Sequence, residues 1–228
     1  MVVGQSMGGM IATAYGRAHP EVAGIVNIDG TGQALPSSFP GAADETAARH
    51  RLQALLQDGV DEVMHAAAHT KDRVSGPETV ERSVAKARQS AKDEGMDPEV
   101  LEAAMRRGVV PAGPGGSRWR HSCGGGELAA MLTGVLAYDT LTELHALECP
   151  ALFISGSAIE RDDGGLGEDE GAFRAGMAKD LDEFAQGTGR QLASLPTLHM
   201  VHLEMPRETA TLVHAFAVSC AQRATSRL

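Results

Sequence analysis

The chain is short of aromatic residues, cysteine and positive charge, and each shortage removes a class of function. Tryptophan occurs once, tyrosine twice and phenylalanine five times in 228 residues, too few for the stacking platforms that hold single-stranded nucleic acids. Twenty Lys and Arg against thirty Asp and Glu leave a formal charge of -10. That is the reverse of the basic footprint selected by phosphate backbones and anionic membrane surfaces, so neither partner is expected. The three cysteines, Cys123, Cys149 and Cys220, stand at unrelated spacings with no CxxC pair. They read as free thiols of a reducing compartment, and neither a disulfide framework nor a metal site is expected from them. No basic stretch followed by an apolar segment opens the chain, and no run of about eighteen apolar residues occurs, so a cytoplasmic location is the expectation.

What is present suits a buried core. Hydrophobic residues make up 43% and charged residues 22% of the chain, ordinary proportions for a globular domain. Residues 1–35 read as strand, turn, helix, strand and loop. Val2-Val3 is an apolar stub; Met10, Ile11, Ala14 and Tyr15 fall at helical spacing before His19-Pro20; Gly24 to Gly30 is a short apolar run ending in a turn. This order predicts a βαβ unit with parallel strands. Residues 36–138 change character, with mixed charges at helical spacing and twelve of the twenty basic residues. Helices are predicted near 44–57, 59–69, 77–94 and 98–107, and the Gly- and Pro-rich stretch 108–126, which holds Trp119, as a loop. Its glycines lack the spacing and the Lys-Ser/Thr ending of a phosphate cradle. Residues 139–228 return to the α/β pattern, with strands predicted at Cys149 to Gly156 and Leu192 to Leu195 and helices at Phe173 to Phe184 and Arg207 to Gln222. Two α/β parts flanking a helical insert imply one interrupted core.

The chemistry is concentrated at Gly4-Gln5-Ser6-Met7-Gly8. Gly-x-Ser-x-Gly between a strand and a helix is the pattern of a nucleophile elbow, whose tight turn brings two backbones together and leaves the serine hydroxyl exposed. The glycines two before and two after the serine, Gly4 and Gly8, meet that steric demand. The competing reading is that Ser6 only caps the following helix. A serine nucleophile needs an imidazole to take its proton and a carboxylate to fix the imidazole tautomer. Of nine histidines, His199 stands nearest the end of the last predicted strand, where α/β sheets place active-site groups. His202 is read as a packing or capping residue, and His50, His65 and His69 as ordinary residues of the helical insert. For the acid, Glu160 is the first candidate, after the strand ending at Gly156; Asp162 and Asp163 are close alternatives, and Asp29, at the end of the preceding strand, is another. Most carboxylates in 160–183 are simply solvated charge, and their spacing does not match a Ca²⁺ loop.

Serine, acid and histidine in that chain order, with the elbow, resemble the α/β-hydrolase fold family. The stretch Val2 to Met10 is similar to that family's fifth strand and elbow, Gly24 to Gly30 to its sixth strand, Cys149 to Gly156 to its seventh, and His199 to Pro206 to its histidine segment. Gln5 stands where His is commoner, no Gly precedes His199, and Ile159 occupies the usual acid position, which leaves Glu160 one residue displaced. The resemblance implies an α/β-hydrolase core with a mostly parallel sheet, divided as 1–35 and 139–228, and a helical cap at 36–138. It implies a triad of Ser6, His199 and Glu160, Met7 N–H as one oxyanion donor, and no cofactor and no metal. About four strands normally precede the elbow in this fold, so the core is expected to be N-terminally truncated. A homodimer formed by strand pairing would cover the bare edge. The expected reaction is hydrolysis of an ester or related acyl bond of a small apolar substrate. C–C hydrolysis, acyl transfer, cofactor-free haloperoxidase activity and a non-catalytic or ligand-binding remnant are the alternatives.

Overall fold

The computed structural model describes residues 1–32, 34–40, 44–69, 76–93, 95–112, 118–121, 130–131, 133–135, 137–157 and 168–225. In chain order the elements are β1 (Val2–Gln5), α1 (Met7–Ala18), β2 (Ile25–Ile28), α2 (Glu45–His69), α3 (Pro77–Asp93), α4 (Pro98–Arg107), β3 (Val109–Ala112), β4 (Arg118–His121), α5 (Thr140–His145), β5 (Ala151–Gly156), α6 (Glu168–Ala185), β6 (Arg190–Leu195), α7 (Val201–Glu204) and α8 (Pro206–Thr225). They fall into two compact units, residues 1–58 with 135–228, and residues 59–134.

The first unit is built on a four-stranded parallel sheet in the order β1-β2-β5-β6. β1 and β2 are joined through α1, the crossover that parallel strands require. The register sets Gly4 opposite Asn27 and Asn27 opposite Phe153. All four residues of β2 and the first four of β5 are buried. This is why both read as short continuous apolar runs, as strands covered on two faces do. Side chains alternate: Ile25, Ala151 and Phe153 face Leu141, Leu144, Leu181 and Phe184, while Val26, Ile28, Leu152 and Ile154 face Val201, Phe216 and Cys220. Asp180 of α6 is buried and accepts hydrogen bonds from the backbone N–H and hydroxyl of Ser37, tying the loop after β2 to that helix.

The second unit pairs α3 with α4. Asp97 caps α4 by accepting from Glu99 N–H at 2.8 Å, with Pro98 at the first helical position, where its missing N–H costs nothing. Arg106 of α4 reaches across to Glu81 of α3 at 2.8 and 2.9 Å and along its own helix to Glu102 at 2.8 Å. Hydrogen bonding to Arg106 holds the carboxyls of Glu81 and Glu102 below their usual range, with Arg88 adding to the effect at Glu102.

Two expectations are corrected here. The helices at 44–57 and 59–69 are one continuous helix, α2. A lone Gly59 inside a helical pattern costs only about 1 kcal/mol relative to Ala and does not break it. The predicted loop at 108–126 contains an antiparallel hairpin, β3 with β4, in which Pro111 pairs with Trp119. A two-stranded sheet has only edge strands, the setting where proline is tolerated. The short helices α5 and α7 lie where no helix was predicted. Among the described residues, no helix is long and apolar enough to cross a membrane.

Candidate active site

Ser6 sits in the one-residue turn between β1 and α1 with φ 54 and ψ -125. Its backbone N–H donates to Ile28 O at 2.8 Å, extending the β1–β2 ladder, and its carbonyl accepts from Gly9 N–H at 2.8 Å and Met10 N–H at 3.2 Å to start the helix. The serine occupies the N-cap position but its side chain makes no capping bond, so the hydroxyl is turned elsewhere. Met7 N–H, first in the helix, is one of the orphan donors of a helix N-terminus.

The tightness of the elbow comes from two glycines. A Cβ on Gly4 would lie 1.9 Å from Gly8 O, and one on Gly9 would lie 2.3 Å from Asn27 Oδ1. Gly8, expected to be the second crowded glycine, faces open space. The close helix–sheet approach falls one residue later, at Gly9, because that is the residue of α1 lying over β2.

His199 follows β6 and lies before α7. Its Nε2 is 2.8 Å from Ser6 Oγ and its Nδ1 is 2.8 Å from Asp29 Oδ2. With the proton on Nδ1, the ring donates to the carboxylate and accepts the serine hydroxyl hydrogen, the arrangement of a serine–histidine–acid relay. Gln5 donates from Nε2 to the His199 carbonyl at 3.1 Å. Glu204 accepts from Leu198 N–H at 2.9 Å. The histidine loop is thus held from β1 on one side and from α7 on the other.

Asp29 leaves β2 with φ 50. Its N–H donates to Ile154 O at 2.8 Å, and its Oδ1 accepts from Gly156 N–H at 3.1 Å. Among the described residues, Ser6 and Asp29 are the non-glycine residues with positive φ. A side chain in that region costs on the order of 1–3 kcal/mol, and such strain gathers at functional sites. Glu160, Asp162 and Asp163 lie outside the described residues.

His202, on α7, is part-buried, and its Nδ1 has no partner among the described residues. Burial, with the neighbouring His199 adding to it, pushes its pKa below the usual histidine value. His50 and His65 are exposed on α2. A cavity of about 490 Å³ adjoins Asp29 at the carboxyl ends of β2 and β5, with Phe153, Phe173, Met177 and Leu181 as its apolar lining and Thr31 and Ser155 among its polar groups. Its size is that of a small-molecule site. Among the described residues, no cluster of three or more metal-ligating side chains occurs.

Sequence reasoning passed over Gln5, Asn27 and Gly156 as site-shaping residues. The signal available for Asp29 was its place between the β2 apolar run and a glycine, the signature of a tight turn at a strand end.

No family profile and no curated protein matches the chain. Solved structures do resemble it. The chain is similar to an E-2-(acetamidomethylene)succinate hydrolase, with a TM-score of 0.57 and 17% identity over 94% of this chain and 65% of that one. It is similar to a thermophilic esterase from Thermogutta terrifontis, with a TM-score of 0.51 and 19% identity over 96% of this chain and 64% of that one. A hydrolase from Pseudomonas aeruginosa PA01 matches at a TM-score of 0.50 and 17% identity over 94% and 63%. The chain has the α/β-hydrolase fold, and it spans about 63–65% of the length of these structures.

Proposed function

We propose that the protein is a serine hydrolase that cleaves an ester or related acyl bond of a small, largely apolar substrate. The observation that carries this reading is the unbroken chain from Ser6 Oγ through His199 to Asp29, with both links at 2.8 Å. Asp29 takes the acid role first expected of Glu160, because its carboxylate meets the imidazole and is itself held by Gly156 N–H.

Ser6 Oγ attacks the acyl carbon while His199 Nε2 takes the hydroxyl proton, and the imidazolium formed is stabilised by Asp29. Met7 N–H donates to the tetrahedral oxyanion; one such donor is worth about 10²–10³ in rate. His199 then returns the proton to the leaving group, and the acyl-serine is hydrolysed by a water that His199 activates in turn. The apolar lining of the cavity beside Asp29 suits a small hydrophobic acyl or alcohol group.

A fluorophosphonate probe tests this directly. Stoichiometric labelling that disappears in Ser6→Ala is expected. Labelling that persists in Ser6→Ala, or folded protein that takes no label, would contradict the reading.

A further inference from the structure

One fully buried polar group, with three hydrogen bonds, is not used by this chemistry. Asn27 is fully buried in the middle of the sheet, on a strand whose other residues are apolar. Its Nδ2 donates to Thr13 Oγ1 and to Gly30 O, both at 3.0 Å, and its Oδ1 accepts from Gly30 N–H at 2.8 Å. Thr13, itself fully buried, passes its hydroxyl hydrogen to Gly9 O at 2.9 Å. A polar side chain in an apolar layer is costly unless every group is paired, and this one spends two of its three bonds on a single residue, Gly30.

Gly30 is the residue after Asp29, and it abuts the elbow. A Cβ placed on it would lie 2.3 Å from Ser6 O and 2.6 Å from Asn27 Oδ1. Both backbone hydrogen-bonding groups of Gly30 are held by the Asn27 amide, which is itself bonded to Thr13 of α1, the helix that begins just after Ser6. Asp29 stands between Asn27 and Gly30 in a conformation, φ 50, that an aspartate would leave if the turn were loosened.

We propose that Asn27 is the positioning residue of the site, clamping the Asp29 turn against the Ser6 elbow, with Thr13 as its brace. This rests on Asp29 being the partner acid of His199. The clamp ties the residue after the acid to the helix that follows the nucleophile, without the histidine loop, so the distance that His199 must bridge is set by β2 and α1. Leucine at position 27 keeps the branching of the side chain and an apolar layer, but it frees the Gly30 peptide and lets Asp29 relax. Misplacement of a catalytic group by about 1 Å costs on the order of 10²-fold in rate.

The test is a histidine-ring NMR titration of the full chain, with the His199 signal assigned by its loss in His199→Gln. Among the described residues, the titratable groups that face that ring are Asp29, just after β2, and His202 of α7, while Glu204 of α7 accepts from the Leu198 N–H; Gln5 from β1 is neutral. A carboxylate partner raises an imidazole pKa, so Asp29→Asn is expected to lower the His199 pKa. Asn27→Leu should reproduce most of that drop, Thr13→Val part of it, and Thr13→Ser, which keeps the hydroxyl, none. In turnover, Asn27→Leu should lose on the order of 10²-fold in kcat with KM nearly unchanged. Thr13→Val carries the test if Asn27→Leu does not fold. A His199 pKa that falls in Asp29→Asn but stays at the wild-type value in the Asn27 and Thr13 variants would overturn the clamp alone. An unmoved value in Asp29→Asn would overturn the clamp together with the acid assignment. A titration that behaves as expected in a protein whose Ser6 takes no phosphonate would leave the clamp standing and remove the hydrolase reading.

Discussion

Gly156 lies between Asp29 and the backbone just ahead of His199. Its N–H donates to Asp29 Oδ1 at 3.1 Å, and a Cβ on it would lie 2.3 Å from Leu198 O, in the residue before the histidine. The last residue of β5 is thus the floor on which acid and base meet, 170 positions apart in sequence.

Gly156→Ala is expected to push the Leu198 backbone outward, because the obstructing atom is main chain and cannot swing aside. Overpacking of this kind costs about 1–3 kcal/mol. The variant should keep its helical circular dichroism while the rate of Ser6 phosphonylation falls at least tenfold; an unchanged rate would show that the loop has room to move.

The elbow glycines separate into two kinds. Gly8→Ala, with open space around it, should leave stability within about 0.5 kcal/mol or raise it, since alanine is the better helix former. Gly9→Ala should be destabilising and nearly inactive, because it drives a methyl group into Asn27. Urea midpoints and phosphonate labelling rates of the two variants check the contrast.

Much of this was legible in the sequence. The elbow, the crossover helix, the buried strands at 25–28 and 151–156 and the histidine at position 199 follow from motif and periodicity, because a doubly covered parallel strand must be a short apolar run. The acid was not legible in the same way. Glu160 and Asp29 both follow a predicted strand end, and a strand end alone does not say which carboxylate is aimed at His199; Glu160 lies outside the described residues. Asp29 is aimed by its positive φ and by Gly156, neither of which has a sequence period. Asn27 was hidden for a related reason: a single polar residue in an apolar run reads as a flaw until its two partners, Thr13 and Gly30, are brought beside it. The hairpin at 109–112 and 118–121 was masked by the Gly and Pro content around it.

His202 makes stability depend on pH. Its pKa is lowered in the folded state, mainly by burial, so the unfolded chain binds this proton more readily. The contribution is fully present above the ordinary value of 6.5 and is lost as pH falls from there through the folded value. His202→Leu should therefore gain stability relative to wild type at about pH 5.5 and gain less at about pH 8. Denaturant midpoints at the two pH values measure this. An equal difference at both would mean that the ring titrates alike in the folded and unfolded chain, so that burial does not shift it.

The central claim is that Ser6 is activated through His199 by Asp29, and the rate of Ser6 phosphonylation at neutral pH measures that activation most directly. Asp29→Asn, which leaves the geometry in place but favours the wrong imidazole tautomer, is expected to slow labelling by up to about 10⁴-fold. Glu160→Gln, Asp162→Asn and Asp163→Asn should each label at nearly the wild-type rate. Fast labelling in Asp29→Asn together with loss of labelling in any one of the other three would contradict the account.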